Sequence, residues 1–238
     1  MVAFFADRWY QFRPLLKITP YLRENGSILT PQRKKLYNSP KILIAKIAIR
    51  TEAFLDKKGE FASLNTNCIH SFTKDFHYKY VNAWINSLLY QFVFSCYFDG
   101  LRMAGGYLLY SSPNIKSTFI KKPDDKFTSI ICLLHDIMES TVTTSKFNLF
   151  DTIMDSIFYE LYFAKHMEVR GINIMAFIEK DISEVIEERE FEHLDDIDKK
   201  QLINNLHTKW SHPNNEVRNR IKLFAVRSPE ILKPILES

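Results

Sequence analysis

The sequence predicts an α+β protein: a mixed, β-rich segment with one buried helix, followed by an α-helical C-terminal region. Three observations predict it. In Ser39–Thr51 the residues Ile42, Ile44, Ile47 and Ile49 supply a β-branched apolar frame punctuated by Lys41, Lys46 and Arg50, which suits a pleated, half-buried strand. Between Tyr78 and Tyr97 the period changes: Val81, Trp84, Leu88, Phe92 and Cys96 recur at helical spacing, as do Ile85, Leu89 and Val93. After Asp125 every long segment carries a helical pattern. The division falls at residues 1–126 and 127–238.

Charge divides at the same place. Residues 1–126 hold 19 Lys and Arg against 9 Asp and Glu, while residues 127–238 hold 13 against 19. A basic half is suited to a polyanionic partner. An apolar fraction of 46% in 238 residues is ample for a packed core. The most apolar region, Ala83–Phe98, is interrupted by Asn86, Ser87 and Gln91 and is too short to span a membrane. Met1–Tyr10 carries Asp7 and lacks the layout of a signal peptide. Cys68, Cys96 and Cys132 are widely spaced, as expected of reduced, buried thiols in the cytoplasm.

In chain order, Pro14, Pro20 and Pro31 predict an irregular lead-in with short strands up to residue 38, aromatic at Trp9, Tyr10, Phe12 and Tyr21 and basic at Arg33–Lys35. Pro40 opens the strand over 41–50. A short extended piece follows at Glu52–Leu55, then a turn at Asp56–Gly59, then a strand from Thr66 to Ser71. The helix over 78–97 ends at Gly100. Gly105-Gly106 opens an extended segment, Tyr107–Tyr110, and Ile115–Ile120 is β-like. Helices are predicted at Phe127–Glu139, Asn148–Met167, Ile174–Arg189, 196–208 and 214–225, the second with a buried face of Phe150, Ile153, Met154, Ile157, Phe158, Leu161 and Tyr162.

No complete catalytic set is present. Six glycines supply no Gly-x-Gly, and neither Asn-Pro-Pro-Tyr nor Gly-x-Ser-x-Gly occurs. Pro123-Asp124-Asp125-Lys126 spells a nuclease motif without the strand-split geometry that motif needs. His135-Asp136, with Glu139 and Glu160, resembles part of a helix-borne metal site, and a metal-dependent phosphohydrolase centred on His135 and Asp136 is one alternative function. A helical protein-interaction module is another. A metal site would need further ligands, and none is well placed in the sequence, so no catalytic or metal residue is assigned.

Five pieces in order resemble one family, the TaqI-like C-terminal specificity domain of restriction-modification enzymes and adenine-specific DNA methyltransferases. They are Ser39–Ile44; Ala53–Phe61 with its Asp-x-x-Gly turn, followed by Asn65-Thr66-Asn67; Tyr80–Phe92 with Asn86-Ser87; Gly105–Leu108 leading to Phe119–Pro123; and Phe150–Phe163. The set spans residues 33–165. The closing strand departs from the family by carrying Lys121-Lys122-Pro123. The resemblance implies sequence-specific binding of double-stranded DNA by a non-catalytic, cytoplasmic module. It needs no cofactor of its own. S-adenosylmethionine, and Mg²⁺ for a nuclease, would serve a catalytic methyltransferase or nuclease domain in the same polypeptide or in a partner subunit. No membrane is involved. The helical tail would be a spacer or a docking element.

Under that resemblance, cations fix register on phosphates and loop side chains read base edges. Phosphate candidates are Lys34, Lys35, Lys41, Lys46, Arg50, Lys74, Lys79, Lys116, Lys121 and Lys122. Base-reading candidates are Asn65, Asn67, Arg102, Tyr107, Tyr110, Ser111 and Asn114. Asn86 and Ser87 are expected to cap or pack within their helix.

Overall fold

The computed structural model describes residues 30–61, 66–187 and 189–238. The aromatic lead-in before Thr30 and the candidate Asn65 lie outside the described residues. The chain forms two compact units: one takes its described residues from 30–86 and 93–122, the other comprises 87–92 and 123–238.

The first unit is mixed. Helix α1 covers Pro31–Tyr37, where short strands were expected. Pro31 opens it, in the first turn, where a missing N–H costs nothing. Strands follow at β1 (Lys41–Ala45), β2 (Ile47–Ala48), β3 (Ala53–Asp56) and β4 (Thr66–Ile69). Then come α2 (Tyr78–Asn86), α3 (Leu88–Phe98, shared between the units), β5 (Leu108–Leu109) and α4 (Ser112–Ser117).

β1 is the centre of an antiparallel sheet in the order β3-β1-β4, with Leu43 opposite both Phe54 and Cys68. All five of its residues are buried, and α2 packs against β3 and β1. The strand read over 41–50 is therefore two strands. The chain bends at exposed Lys46, and β2 leaves the sheet to pair with β5 in a separate two-stranded ribbon.

Asp56 closes the β3 turn. Its Oδ1 accepts from the amides of Gly59 (2.9 Å) and Glu60 (3.0 Å), and its Oδ2 accepts from Phe61 N (3.0 Å) and from the ammonium of Lys41. Gly59 sits at φ +71°, and a Cβ there would lie 2.4 Å from the Asn38 carbonyl carbon. The Asp-x-x-Gly pattern is thus a backbone requirement.

The single helix expected over 78–97 is broken at Ser87. The Ser87 hydroxyl accepts from Tyr90 N (3.1 Å), and Asp155 Oδ1 accepts from Leu88 N (2.8 Å), so two first-turn donors of α3 are satisfied. The β-like reading of 115–120 also changes. Ser111 caps α4 by accepting from Asn114 N (3.3 Å), with Pro113 in the first turn. A serine cap followed by proline is a helix-start signal that outweighs the β-branched residues beyond it.

Glu52, just before β3, is only 7% exposed, and burial pushes its carboxyl up to about 7. Below the ordinary carboxylate range folded and unfolded chains both hold this proton. Between that range and pH about 7 only the folded chain does. Stability therefore falls as pH rises through this window, and the deficit persists above it. Glu52→Gln is expected to flatten that slope and to add about 2 kcal/mol at pH 8, discounted for residual contact with water. Urea denaturation at pH 5 and pH 8 reads both effects.

The second unit is helical: α5 (Asp125–Thr141), α6 (Phe147–Val169), α7 (Met175–Ile186), α8 (Asp196–Ser211), α9 (Glu216–Lys222), α10 (Phe224–Arg227) and α11 (Leu232–Leu236). Asp124 and Asp195 cap α5 and α8. α5 packs on α6, and α8 packs on α6, α7 and α9. Trp210, fully buried, lies edge-on to Phe150 and donates to Asp181 (3.0 Å). The cysteines differ from expectation in their burial: Cys96 is exposed and the other two are half-buried, and none of the three is in a disulfide.

Candidate nucleic-acid interface

The β2–β5 ribbon organises the candidates of the first unit. Ile47 pairs with Leu109 and Ala48 with Leu108. At one end of the ribbon Tyr110 N donates to the carbonyl of exposed Lys46 (2.9 Å). Here the polar side chains converge. The Asn67 amide donates to Tyr110 O and accepts from Ser112 Oγ (2.8 Å), while Asn114 Nδ2 donates to Leu109 O (3.2 Å). Lys46, Asn67, Ser111 and Asn114, scattered over 69 positions of sequence, thus meet at one junction. Ser112 belongs to it too and was missed, because its role depends on a partner 45 residues away.

At the opposite end Arg50 is exposed beyond β2, and Tyr107, 39% exposed, precedes β5. Gly105 and Gly106 both adopt positive φ, and that turn presents Tyr107. Arg102 braces the turn by donating to Gly106 O (3.1 Å) and pairing with Asp99. Both partners of that ion pair are largely exposed, where such pairs hold a side chain only weakly.

Other cations distribute as follows. Lys35 and Lys116 are exposed on α1 and α4, and Lys74 is exposed before α2. Lys34 lies on α1. Lys121 and Lys122 are exposed. The Tyr80 hydroxyl donates to Lys121 O, and Lys122 pairs with Asp75.

Three candidates are corrected. Lys41 is fully buried, and its ammonium is committed to Asp56 and to Tyr37 O (2.6 Å), so it fastens the sheet and is not presented to phosphate. Lys79 is 4% exposed on the inner side of α2. Tyr110 is fully buried against Phe94, ring centroids 4.5 Å apart, and contributes its backbone to the junction instead of a base-reading side chain.

In the helical unit, His135, Asp136 and Glu139 bring their ligand atoms within 4.8 Å of one another, the single such group of three among the described residues. All three come from one helix, and His135 is fully buried. Glu160, which the sequence placed with them, is committed elsewhere: it accepts from the amides of Ile174 and Met175 and caps α7. A cleft of about 430 Å³ in the same unit is lined by Phe177, Asp181, Glu184, Lys209, His212 and Asn215, among others. Its charges are mutually satisfied. Lys209 holds the Glu184 carboxyl below its usual range, and Asp181 accepts from Trp210 and from Asn215 (2.7 Å). Neither group assembles a catalytic constellation.

No helix among the described residues is long and apolar enough to cross a membrane. No curated protein and no solved structure matches the chain. Residues 15–104, which carry β1 to β4, the Asp56–Gly59 turn, α2 and α3, match the family model of the TaqI-like C-terminal specificity domain.

Proposed function

We propose that the first unit is a target-recognition module that binds double-stranded DNA for a restriction-modification system, and that it does so without catalysing a reaction. The observation that carries this reading is the junction at the β2–β5 ribbon. There exposed Lys46 stands beside a set of short polar side chains fixed by one another, with exposed Arg50 at the ribbon's opposite end, and both cations lie within the segment that matches a specificity-domain family. Cations of this kind neutralise phosphates and set register, and pre-fixed polar groups give readout at low entropic cost.

Methylation, and cleavage if it occurs, would belong to a methyltransferase or nuclease domain elsewhere in the polypeptide or in a partner subunit in the cytoplasm. S-adenosylmethionine and Mg²⁺ would be bound there. The network on Asn67 makes it a positioning residue. Both ends of its amide already serve the protein, so it shapes the loop that presents Ser111 and Asn114.

Phosphate-driven binding releases counterions, so log affinity should fall linearly with log salt, by about 0.9 per phosphate neutralised. Fluorescence anisotropy of a labelled duplex pool, titrated with the chain from low to physiological salt, measures this slope. A folded chain that binds no duplex at low salt contradicts the proposal.

A further inference from the structure

The solvent face of the β2–β5 ribbon is apolar. Ala48 and Leu108 point into the core at 1% and 0% exposure. Alternation then turns Ile47 and Leu109 outward on the same rung, with Ile49 and Tyr107 immediately beyond it on the same side. Ile47 is 42% exposed, Ile49 53% and neighbouring Met103 47%. A two-stranded ribbon with one side solvated ordinarily carries polar residues outward, so a contiguous apolar patch here marks a contact surface.

Its rim identifies the partner. Lys46 and Arg50 stand exposed at the two ends, and no acidic residue occurs in 39–51 or anywhere from Gly100 to Pro123. An apolar strip between cations, with the neighbouring Asp99 carboxylate paired to Arg102, complements a surface that is anionic at its edges and apolar between them. The major groove is such a surface where thymine places its C5-methyl group between two phosphate walls. The dimensions agree: paired strands lie about 5 Å apart, and a groove about 12 Å wide admits a two-stranded ribbon.

Resting on the DNA-recognition reading, we propose that the ribbon enters the major groove and that Ile47, Ile49 and Tyr107 read thymine methyl groups there. The mechanism is burial of methyl against side chain, so specificity arises from apolar contact in addition to hydrogen bonds. The polar junction at Asn67 and Ser112 then holds the ribbon at its entry angle.

Replacing thymine by deoxyuridine removes only the methyl and leaves pairing and the O4 acceptor intact. Duplexes enriched by the chain from a random pool are re-made with deoxyuridine and titrated by anisotropy. The expected loss is about fourfold per methyl contacted, the worth of one buried CH₂ group. In Ile47→Ser/Ile49→Ser that penalty should fall to the part Tyr107 contributes, and it should vanish in Ile47→Ser/Ile49→Ser/Tyr107→Ser, whereas Lys46→Ala should weaken both duplex forms equally and keep it. Equal binding of thymine and deoxyuridine duplexes by the unaltered chain overturns the inference while leaving DNA recognition in place. Absence of any duplex binding overturns both. A dimer in solution that Ile47→Ser/Ile49→Ser converts to a monomer assigns the patch to a second copy of the chain and likewise overturns it.

Discussion

Asp56→Ala is expected to cost about 3–5 kcal/mol, the range for removing one partner of a buried ion pair. The carboxylate is 2% exposed and serves four donors: three turn amides and the Lys41 ammonium. Alanine strands a cation that has no exposed surface and leaves only the Tyr37 and Ser39 carbonyls beside it. Folded domains are stable by about 5–15 kcal/mol, so this one change would consume a large part of the margin. Adding Lys41→Met should recover part of the loss, because it removes the uncompensated charge. Urea denaturation of the two single variants and the double variant, followed by circular dichroism, gives the coupling directly.

Asn86→Ala should be the second large loss. Among the described residues β3 is an edge strand, and its outer side is not paired with another described strand. Asn86, 1% exposed, stands in for one: its Oδ1 accepts from Ala53 N (3.0 Å) and its Nδ2 donates to Ala53 O (2.9 Å). A second bond from the same Nδ2 to Asn82 O (3.0 Å) fixes the rotamer. Alanine leaves a buried N–H and a buried C=O without these partners, at roughly 1–3 kcal/mol each, for a total of about 2–6 kcal/mol. Amide exchange at Ala53 should accelerate in step with the lost stability, whereas a substitution that only weakened α2 would leave that amide protected. The edge is also an aggregation liability once uncapped, so the variant should lose solubility before it loses helix content.

These two positions show how legible the sequence is. The helices after Asp125 were readable because each carries its own apolar period and several carry their own caps, such as Asp124 and Asp195. The β1 strand was readable from its β-branched residues. What could not be read there was facing. In a strand covered on both sides alternation gives no information, and Lys41 looks like any exposed cation until Asp56, fifteen residues on, closes over it. The same limit applies to Tyr110, whose burial depends on Phe94.

Breaks were harder than elements. Lys46 ends β1 because the next two residues are recruited by β5, about sixty positions away. Ser87 interrupts a continuous apolar period because it and Asp155 start a new helix. In both cases a distant partner overrides the local pattern. The family-model match covers the first three of the five resembling pieces. The fourth begins at Gly105, one residue past its end, and the fifth lies within α6. The candidate site shows the same division. Its cations and amides could be named from the sequence, but its apolar ribbon face could not, since exposed isoleucines read as core until the strand that carries them is placed.

On the proposed reading, the ribbon edge contacts DNA phosphates through Lys46 and Arg50. The most direct measurement is the salt dependence of duplex binding by Lys46→Ala/Arg50→Ala, set against the unaltered chain and against Lys200→Ala, an exposed cation on α8. The double variant is expected to lose about 1.8 from the slope of log affinity against log salt, two phosphate contacts at about 0.9 each, and Lys200→Ala to keep the parent slope. An unchanged slope in the double variant, or an equal reduction in Lys200→Ala, would contradict it.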